Sequence, residues 1–360
     1  MISASSNLRA APLPIRSVGV LYVTSNQQAA GREAEQLADD EVIEIAQAVQ
    51  AALAARGIGA ETINLAATSF DALETYDWIF NLTETIYGFP LSVDQVAREL
   101  EARRLPFTGS GAWALCACRD KAFTKAELLR HNIPTPAYQV FAPGEPVECQ
   151  LPFPLIAKPL YEDASFGITR DSLAHSLAEL RACVARIHSD YQQPALVEEY
   201  IDGREITVSV LGNGEEAQVL PFTEVLYDDR LGPHFLTFDA KWLPGSSDFH
   251  ATPTACPAEV DPELGAELAE LSLRACRILD CSDYSRVDFR VRDRQPFVLE
   301  INPNPCINPN DAGFVSAAAA VGIPFPDLVW SILAHSWKRY SRFIALREQH
   351  ADPTASPLPG

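Results

Sequence analysis

Arg286, Asp288, Glu300 and Asn302 sit in RVDFRVRDRQPFVLEIN, residues 286–302, a stretch that alternates like a β-hairpin. Residues two apart on a strand share a face, so Arg286 goes with Asp288 and Glu300 with Asn302. If 293–295 form a three-residue loop, Asp288 lies opposite Glu300 and Arg286 opposite Asn302, and all four share one face. Other loop lengths move the two pairs apart. Like charges directly opposite are destabilising unless a cation stands between them. Two carboxylates and an amide oxygen are hard ligands that suit Mg²⁺, which takes its remaining ligands from phosphates and water. The plainer alternative is a solvated edge hairpin with ordinary charge pairs.

Three further stretches carry polar groups in suggestive places. In LIAKPLYEDASFGI (155–168), Lys158 ends an apolar run, and the small-residue loop that follows can turn backbone N–H groups toward a phosphate. It lacks the GK[S/T] of a Walker A loop, and a lysine snorkelling from a strand end is the alternative. In ALVEEYIDGREITVSVLG (195–212), Glu198, Glu199 and Glu205 surround a tight turn between two strands. That arrangement suits a hinge whose backbone reads a base, with one carboxylate on a ribose, or else an exposed acidic hairpin. RDKAFTKAELLRHNIPTP (119–136) carries Lys121 on a helix, where a surface lysine is the ordinary reading.

The elements that must position these groups read as α/β (α+β). Apolar strands at 18–23, 61–65 and 77–83 alternate with helices at 33–56 and 91–103, which predicts a βαβ open parallel sheet over residues 15–108. A helix over 112–131, strands at 137–141 and 153–160, and a helix capped by Asp171 predict a small α+β unit over 109–190. Strands at 195–201, 204–212 and 216–225, a helix at 261–280, the hairpin, and helices at 312–321 and 325–346 complete a third unit, 191–346. Residues 227–255 are rich in Gly, Pro and Asp and poor in periodicity, as expected of a lid. Residues 1–14 and 347–360 read as disordered tails.

Composition bounds the function. The chain has 360 residues, 47% of them hydrophobic, ample for a large core. A net charge of −20 argues against general affinity for nucleic acid or an anionic membrane, though a local cluster of lysines and amides can still hold an anionic ligand. No run approaches the roughly 20 apolar residues of a membrane span, and the N-terminus lacks a signal peptide's apolar core. The 8 cysteines are scattered without zinc-type partners and read as reduced thiols in the cytoplasm.

The order of these pieces is more specific than any one of them. DK followed by a helix and P-x-P, AKP with a small-residue loop, VEEYIDGREITV and RVDFR…FVLEINPNP together resemble the ATP-grasp superfamily, and most closely the D-alanine–D-alanine ligases and their relatives. The resemblance covers about 108–335 and extends more weakly to IFNLTETIYG near residue 84. It implies the three-domain ATP-grasp fold, with ATP held between the last two domains. It also implies a carboxylate activated as an acyl phosphate and then coupled to an amine. Lys121 and Lys158 would contact ATP phosphates, with Ser165, Phe166 and Gly167 in the covering loop. Glu198, Glu199 and Ile201 would frame the adenine, with Leu299 a further ATP contact and Glu205 on the ribose. Asp288, Glu300 and Asn302 would hold two Mg²⁺ ions (Mn²⁺ as substitute), Glu300 bridging. Arg286 would stabilise the oxyanion as the amine attacks, and Lys241 would close with the lid.

Departures from the family lie in the amino-acid pockets. Ala164, beside Ser165, stands where the relatives have serine. Trp242 replaces a lid tyrosine, Cys306 a glycine, and Asn310 and Asp311 lie near the relatives' serines. The relatives' Ser-Glu pair, which grips the first substrate's amine, has no clear match in TSNQQAAGREAEQLADDE, residues 24–41. Glu84, Trp242, Cys306, Asn310 and Asp311 are therefore the candidate substrate contacts. Asp311 is read first as the N-cap of the helix after it, and second as a contact for a cationic amine. The expected activity joins small-molecule carboxylate and amine substrates. An authentic D-alanine–D-alanine ligase and a non-catalytic ATP-binding regulatory module are the alternatives. A homodimer is expected from the relatives alone.

Overall fold

The computed structural model describes residues 13–24, 33–84 and 91–351, the side chains of 33–39, 231 and 342–351 excepted. The expected tail at 1–14 thus falls mostly outside the described residues, as do 352–360. Parallel strands β1 (Ser17–Tyr22), β2 (Gly59–Asn64) and β3 (Trp78–Asn81) form a sheet in the order β2-β1-β3. Helix α1 (Glu33–Ala54) crosses between β1 and β2, and α2 (Val93–Ala102) follows β3. The apolar runs of β1 and β3 are buried because helices and later elements cover the sheet.

The single helix expected over 112–131 is two, α3 (Ala112–Arg119) and α4 (Lys121–Arg130). Asp120 breaks the run with extended backbone, and its carboxylate accepts from Phe123 N at 3.0 Å as the N-cap of α4. Lys121 thereby opens a new helix. The middle sheet contains β4 (Tyr138–Phe141), β5 (Leu155–Pro159), β6 (Leu173–Ala174) and β7 (Ala195–Glu199) in the order β4-β7-β5-β6. Helix α5 (Leu177–Tyr191) lies among them. Its cap is Ser176 and not Asp171, which instead sits in a short 3₁₀ turn.

Strand β7, expected to open the third unit, belongs to this middle sheet, so a boundary at 190 is too early. Its neighbour β8 (Arg204–Leu211) lies in another sheet. The DGR segment is thus a crossing between sheets and not a hairpin turn. Gly203 makes the crossing possible: a Cβ there would stand 2.1 Å from the Val291 carbonyl oxygen.

The last sheet adds β9 (Gln218–Val219), β10 (Thr223–Val225), β11 (Thr254–Ala255), β12 (Tyr284–Arg292) and β13 (Gln295–Asn302). Its order is β11-β10-β8-β12-β13, with β9 on β8. The strand expected at 216–225 is interrupted between β9 and β10, where Pro221 denies the ladder a donor. Two short helices, α6 (Phe238–Trp242) and α7 (Ser247–His250), fold within 227–255. Helix α8 (Pro262–Ile278), capped by Asp261, packs on the sheet. Helices α9 (Gly313–Ala320) and α10 (Phe325–Ala351) join the N-terminal sheet's core, and α10 runs beyond 346, where the tail was expected to begin. Among the described residues no single helix is long and apolar enough to cross a membrane.

Candidate active site

The four hairpin residues meet by a different route from the one their spacing implies. The turn has two residues, Asp293 and Arg294, both left-handed with φ of 51° and 66°, and Arg292 pairs with Gln295. The three-residue loop is therefore not formed. A two-residue turn alone would set Asp288 opposite Leu299 and send Glu300 to the other face. One extra residue corrects this. Phe289 pairs with Val298 but Asp288 with Glu300, so Leu299 is the bulge that restores the common face. Arg286 then lies opposite Asn302.

Arg286 supplies the cation that the facing carboxylates need. Its Nε and Nη2 donate to the two oxygens of Asp288 at 2.7 and 2.9 Å. Burial works against the Arg286 charge, yet Asp288 and Glu300 hold the guanidinium above its ordinary pKa. Burial also pushes Asp288 up against the pull of Arg286. For Glu300 burial is outweighed by Lys121, Lys158, Arg286 and Lys241, which hold it below the usual carboxylate range. Among the described residues none donates a hydrogen bond to its side chain. No group of three or more His, Cys, Asp or Glu side chains is gathered as a metal cage among those residues. Two carboxylates and the Asn302 amide, with Glu300 uncommitted, fit Mg²⁺, which needs few protein ligands when phosphates complete its shell.

The lysines approach from the middle sheet. Lys158, on β5, is buried and pairs with Glu198 Oε1 at 2.6 Å. The other carboxylate oxygen faces Lys125 Nζ at 2.8 Å, without the alignment of a hydrogen bond. Lys125 donates to Thr135 Oγ1 at 2.8 Å, which donates to the Val298 carbonyl at 2.7 Å and so ties α4 to β13. Burial lowers Lys125 to about 8 against the pull of Glu198. Burial also raises Glu198, but the two lysines outweigh it and bring its carboxyl down to about 2. The Glu198 side chain, expected at the adenine, is thus the shared counter-ion of two lysines. Lys125 was missed in the sequence, although its four-residue spacing from Lys121 places both on one helix face. Lys121 Nζ donates to the Glu162 carbonyl and to Asp163 Oδ1, at the entry of the small-residue loop.

Glu205 and Glu199 are also committed. Glu205 accepts from Arg290 Nη1 at 2.9 Å and from the Tyr227 hydroxyl at 2.5 Å, and Arg290 Nε donates to the Ile201 carbonyl at 3.0 Å. Glu199 accepts from Arg292 at 2.8 Å. These contacts stiffen the crossing between sheets that includes Ile201.

The loop and the lid are joined. Ala164, Ser165 and Gly167 have φ of 54°, 63° and 78°, and a Cβ on Gly167 would reach 2.5 Å from Pro159 Cγ. Trp242 Nε1 donates to the Ala164 carbonyl at 3.0 Å. Phe166 meets Phe238 with ring centroids 5.2 Å apart. Lys241 remains exposed.

Beyond Arg286 lies a crevice between the N-terminal sheet and the 304–307 segment, lined by Val42 and Ile45 of α1, residues 81–84, Tyr284 and Cys306. Cys306 Sγ contacts Glu41 Oε1 at 3.6 Å, and Asn308 Nδ2 donates to that oxygen at 3.0 Å. Glu41 was missed, although it ends the 24–41 stretch that lacked a family match; no sequence period marks it. Glu84 reaches solvent at the crevice mouth, but surrounding protein and then the Glu41 charge push it up to about 7. The helix after Asp311 is capped by Ala312, with no side-chain bond, so the expected Asp311 cap is not made. Asn310 and Asp311 are exposed.

The family model for the D-ala D-ala ligase C-terminus matches residues 130–334. Uncharacterized protein y4sG of Sinorhizobium fredii is 38% identical over 74% of this chain and 76% of its own. The D-alanine–D-alanine ligase of Bordetella petrii is 31% identical, covering 89% and 91%. A crystal structure of D-alanine–D-alanine ligase from Bacillus anthracis superposes with a TM-score of 0.73 at 24% identity, over 91% and 99%. A complex of that enzyme with ATP gives 0.72 at 22%, with the same coverage.

Proposed function

The chain belongs to the D-alanine–D-alanine ligase family, an ATP-grasp family, and from that premise we propose how its residues divide the work. It is an ATP-dependent carboxylate–amine ligase. The observation that carries the division of labour is the common face of Arg286, Asp288, Glu300 and Asn302, on which four cations converge electrostatically at Glu300.

Lys121, Lys158 and Lys241 neutralise the transferring phosphoryl group, the main demand of this chemistry. Residues 164–167 and the lid helix α6, already joined through Trp242, cover it. Asp288, Glu300 and Asn302 would hold Mg²⁺, which supplies charge neutralisation between the phosphates. The crossing at 199–201 takes the adenine through its backbone, and the Glu198 side chain orients Lys158. Arg286, held cationic by two carboxylates, faces the oxyanion that develops when the amine attacks. Glu84, Trp242, Cys306, Asn310 and Asp311 surround the amino-acid-like substrates.

ADP and phosphate release against a panel of amino acids, with hydroxylamine to trap an acyl phosphate, tests this reading. Hydroxamate that depends on a carboxylate substrate and on Mg²⁺ is expected. ATP hydrolysis indifferent to every carboxylate would refute it. Dipeptide from D-alanine alone would identify the narrower activity of the Bordetella petrii relative's name.

A further inference from the structure

We propose that the crevice beside Arg286 selects an amino-acid-like substrate carrying a second, side-chain cation, of the lysine or arginine type. This rests on the ligase reading and names its substrate class.

The argument begins with unspent hydrogen bonds. Asn81 is fully buried and lines the crevice. Its Oδ1 accepts from the Thr83 amide at 3.2 Å and the Thr83 hydroxyl at 2.8 Å, which fixes the amide's orientation. Its Nδ2 then has no partner among the described residues. Asn304 repeats the pattern: Oδ1 accepts from Ser110 N at 2.8 Å, and Nδ2 is buried without a partner among the described residues. A buried amide N–H left unpaired is costly, because it has given up water without a replacement acceptor. Two such donors lining one crevice point to an acceptor oxygen from a ligand, as a carboxyl or carbonyl group supplies.

Charge at the crevice has the opposite demand. Glu84 lines it, Glu41 contacts its Cys306 wall, and the Glu41 charge acts on both Glu84 and the exposed Asp311. Asn308 and Cys306, the groups that contact Glu41, are uncharged. No cation among the described residues forms an ion pair with any of the three. The nearest positive charges acting on Glu84, Lys241 and Arg286, belong to the reaction centre. A neutral amino acid whose carboxyl group reacts presents one ammonium to these three carboxylates. The attacking amine must be uncharged to act as a nucleophile and so neutralises none. A side-chain ammonium or guanidinium removes the surplus. Asp311 is free for this task because it does not cap α9.

Isosteric pairs provide the test. With the full chain, ATP and Mg²⁺, lysine is compared with norleucine and arginine with citrulline, each as L and D forms, alone and with alanine as co-substrate. Product is read by mass and binding by calorimetry. The cationic member of each pair should be favoured by about 10–100-fold in kcat/KM, the range of charge-assisted hydrogen bonds. Glu84→Gln and Asp311→Asn should each move the lysine-to-norleucine ratio toward one. Norleucine and citrulline serving as well as their cationic partners would overturn the proposal. Lysine-selective binding without product or hydroxamate would support it and instead refute the ligase reading.

Discussion

Around Lys158 the buried charges meet opposite charges from the protein, whereas around Glu84 carboxylates face one another. Lys125 and Lys158 share Glu198, Arg290 holds Glu205, and Arg286 holds Asp288. These groups are rigid before any ligand arrives, because breaking a buried pair exposes an uncompensated charge. The Glu84 end keeps unpaired acids and two idle amide donors. Preorganised groups suit a ligand whose chemistry is constant through a family, the triphosphate. Unpaired groups suit one that the protein alone must recognise. The departures from the family's sequence pattern, at Cys306, Asn310 and Asp311, fall at that second end.

The largest effect should come from breaking the preassembled end. Lys125→Met leaves Glu198 with one cationic partner and should cost about 3–5 kcal/mol of stability, as for other buried pairs that lose one member. Chemical denaturation measures it, and Lys125→Met with Glu198→Gln should recover part of the loss. Next, Arg286→Met should lower the rate of ADP release per folded molecule about 10²–10³-fold, as when one oxyanion donor is removed, with the folded fraction measured by circular dichroism because the variant also leaves Asp288 without its partner. Glu300→Gln keeps the pairing of β12 with β13 but removes one of the two facing carboxylates. ATP titrations with and without Mg²⁺ should then show the metal's contribution reduced about 10–100-fold.

The smallest effect probes the other end. Glu84 titrates near 7 in the fold and near 4.5 in a model peptide. Its folded form therefore binds protons more tightly, and stability is full below the unfolded value and declines as pH rises through about 7. Glu84→Gln abolishes that decline. The melting temperature of the variant relative to the native chain should be higher at pH 8 than at pH 5. A difference independent of pH would mean that Glu84 is an ordinary solvated carboxylate.

Much of the end around Lys158 and the hairpin was legible, because its residues lie on regular elements. Lys158 ends an apolar strand, and Asp288 and Glu300 follow the period of two. Their common face was reached through a three-residue loop that does not exist. A two-residue turn plus a bulge gives the same pairing, since the one extra residue moves from the loop to position 299 of the same strand. The pairing of the Glu198 side chain was not legible, because the partner Lys125 lies 73 positions away on a helix whose break at Asp120 was hidden by good helix formers. Strand β7 was placed in the wrong sheet because neighbouring strands usually pair, and a glycine crossing leaves no periodic signal.

By itself the sequence determined which side chains are strand-borne, which segments are apolar enough to be buried, and the ordered set of motifs that carries the family. Those properties are local: periodicity, propensity and spacing along one chain. Only the tertiary structure decided that Glu41 of the first helix faces Cys306 and Glu84, that Asn81 and Asn304 are left with idle donors, and that Asp311 is not a cap. Such facts depend on which surfaces of separate sheets come together, and the free energy of a buried charge or an unpaired amide is set by those neighbours in space.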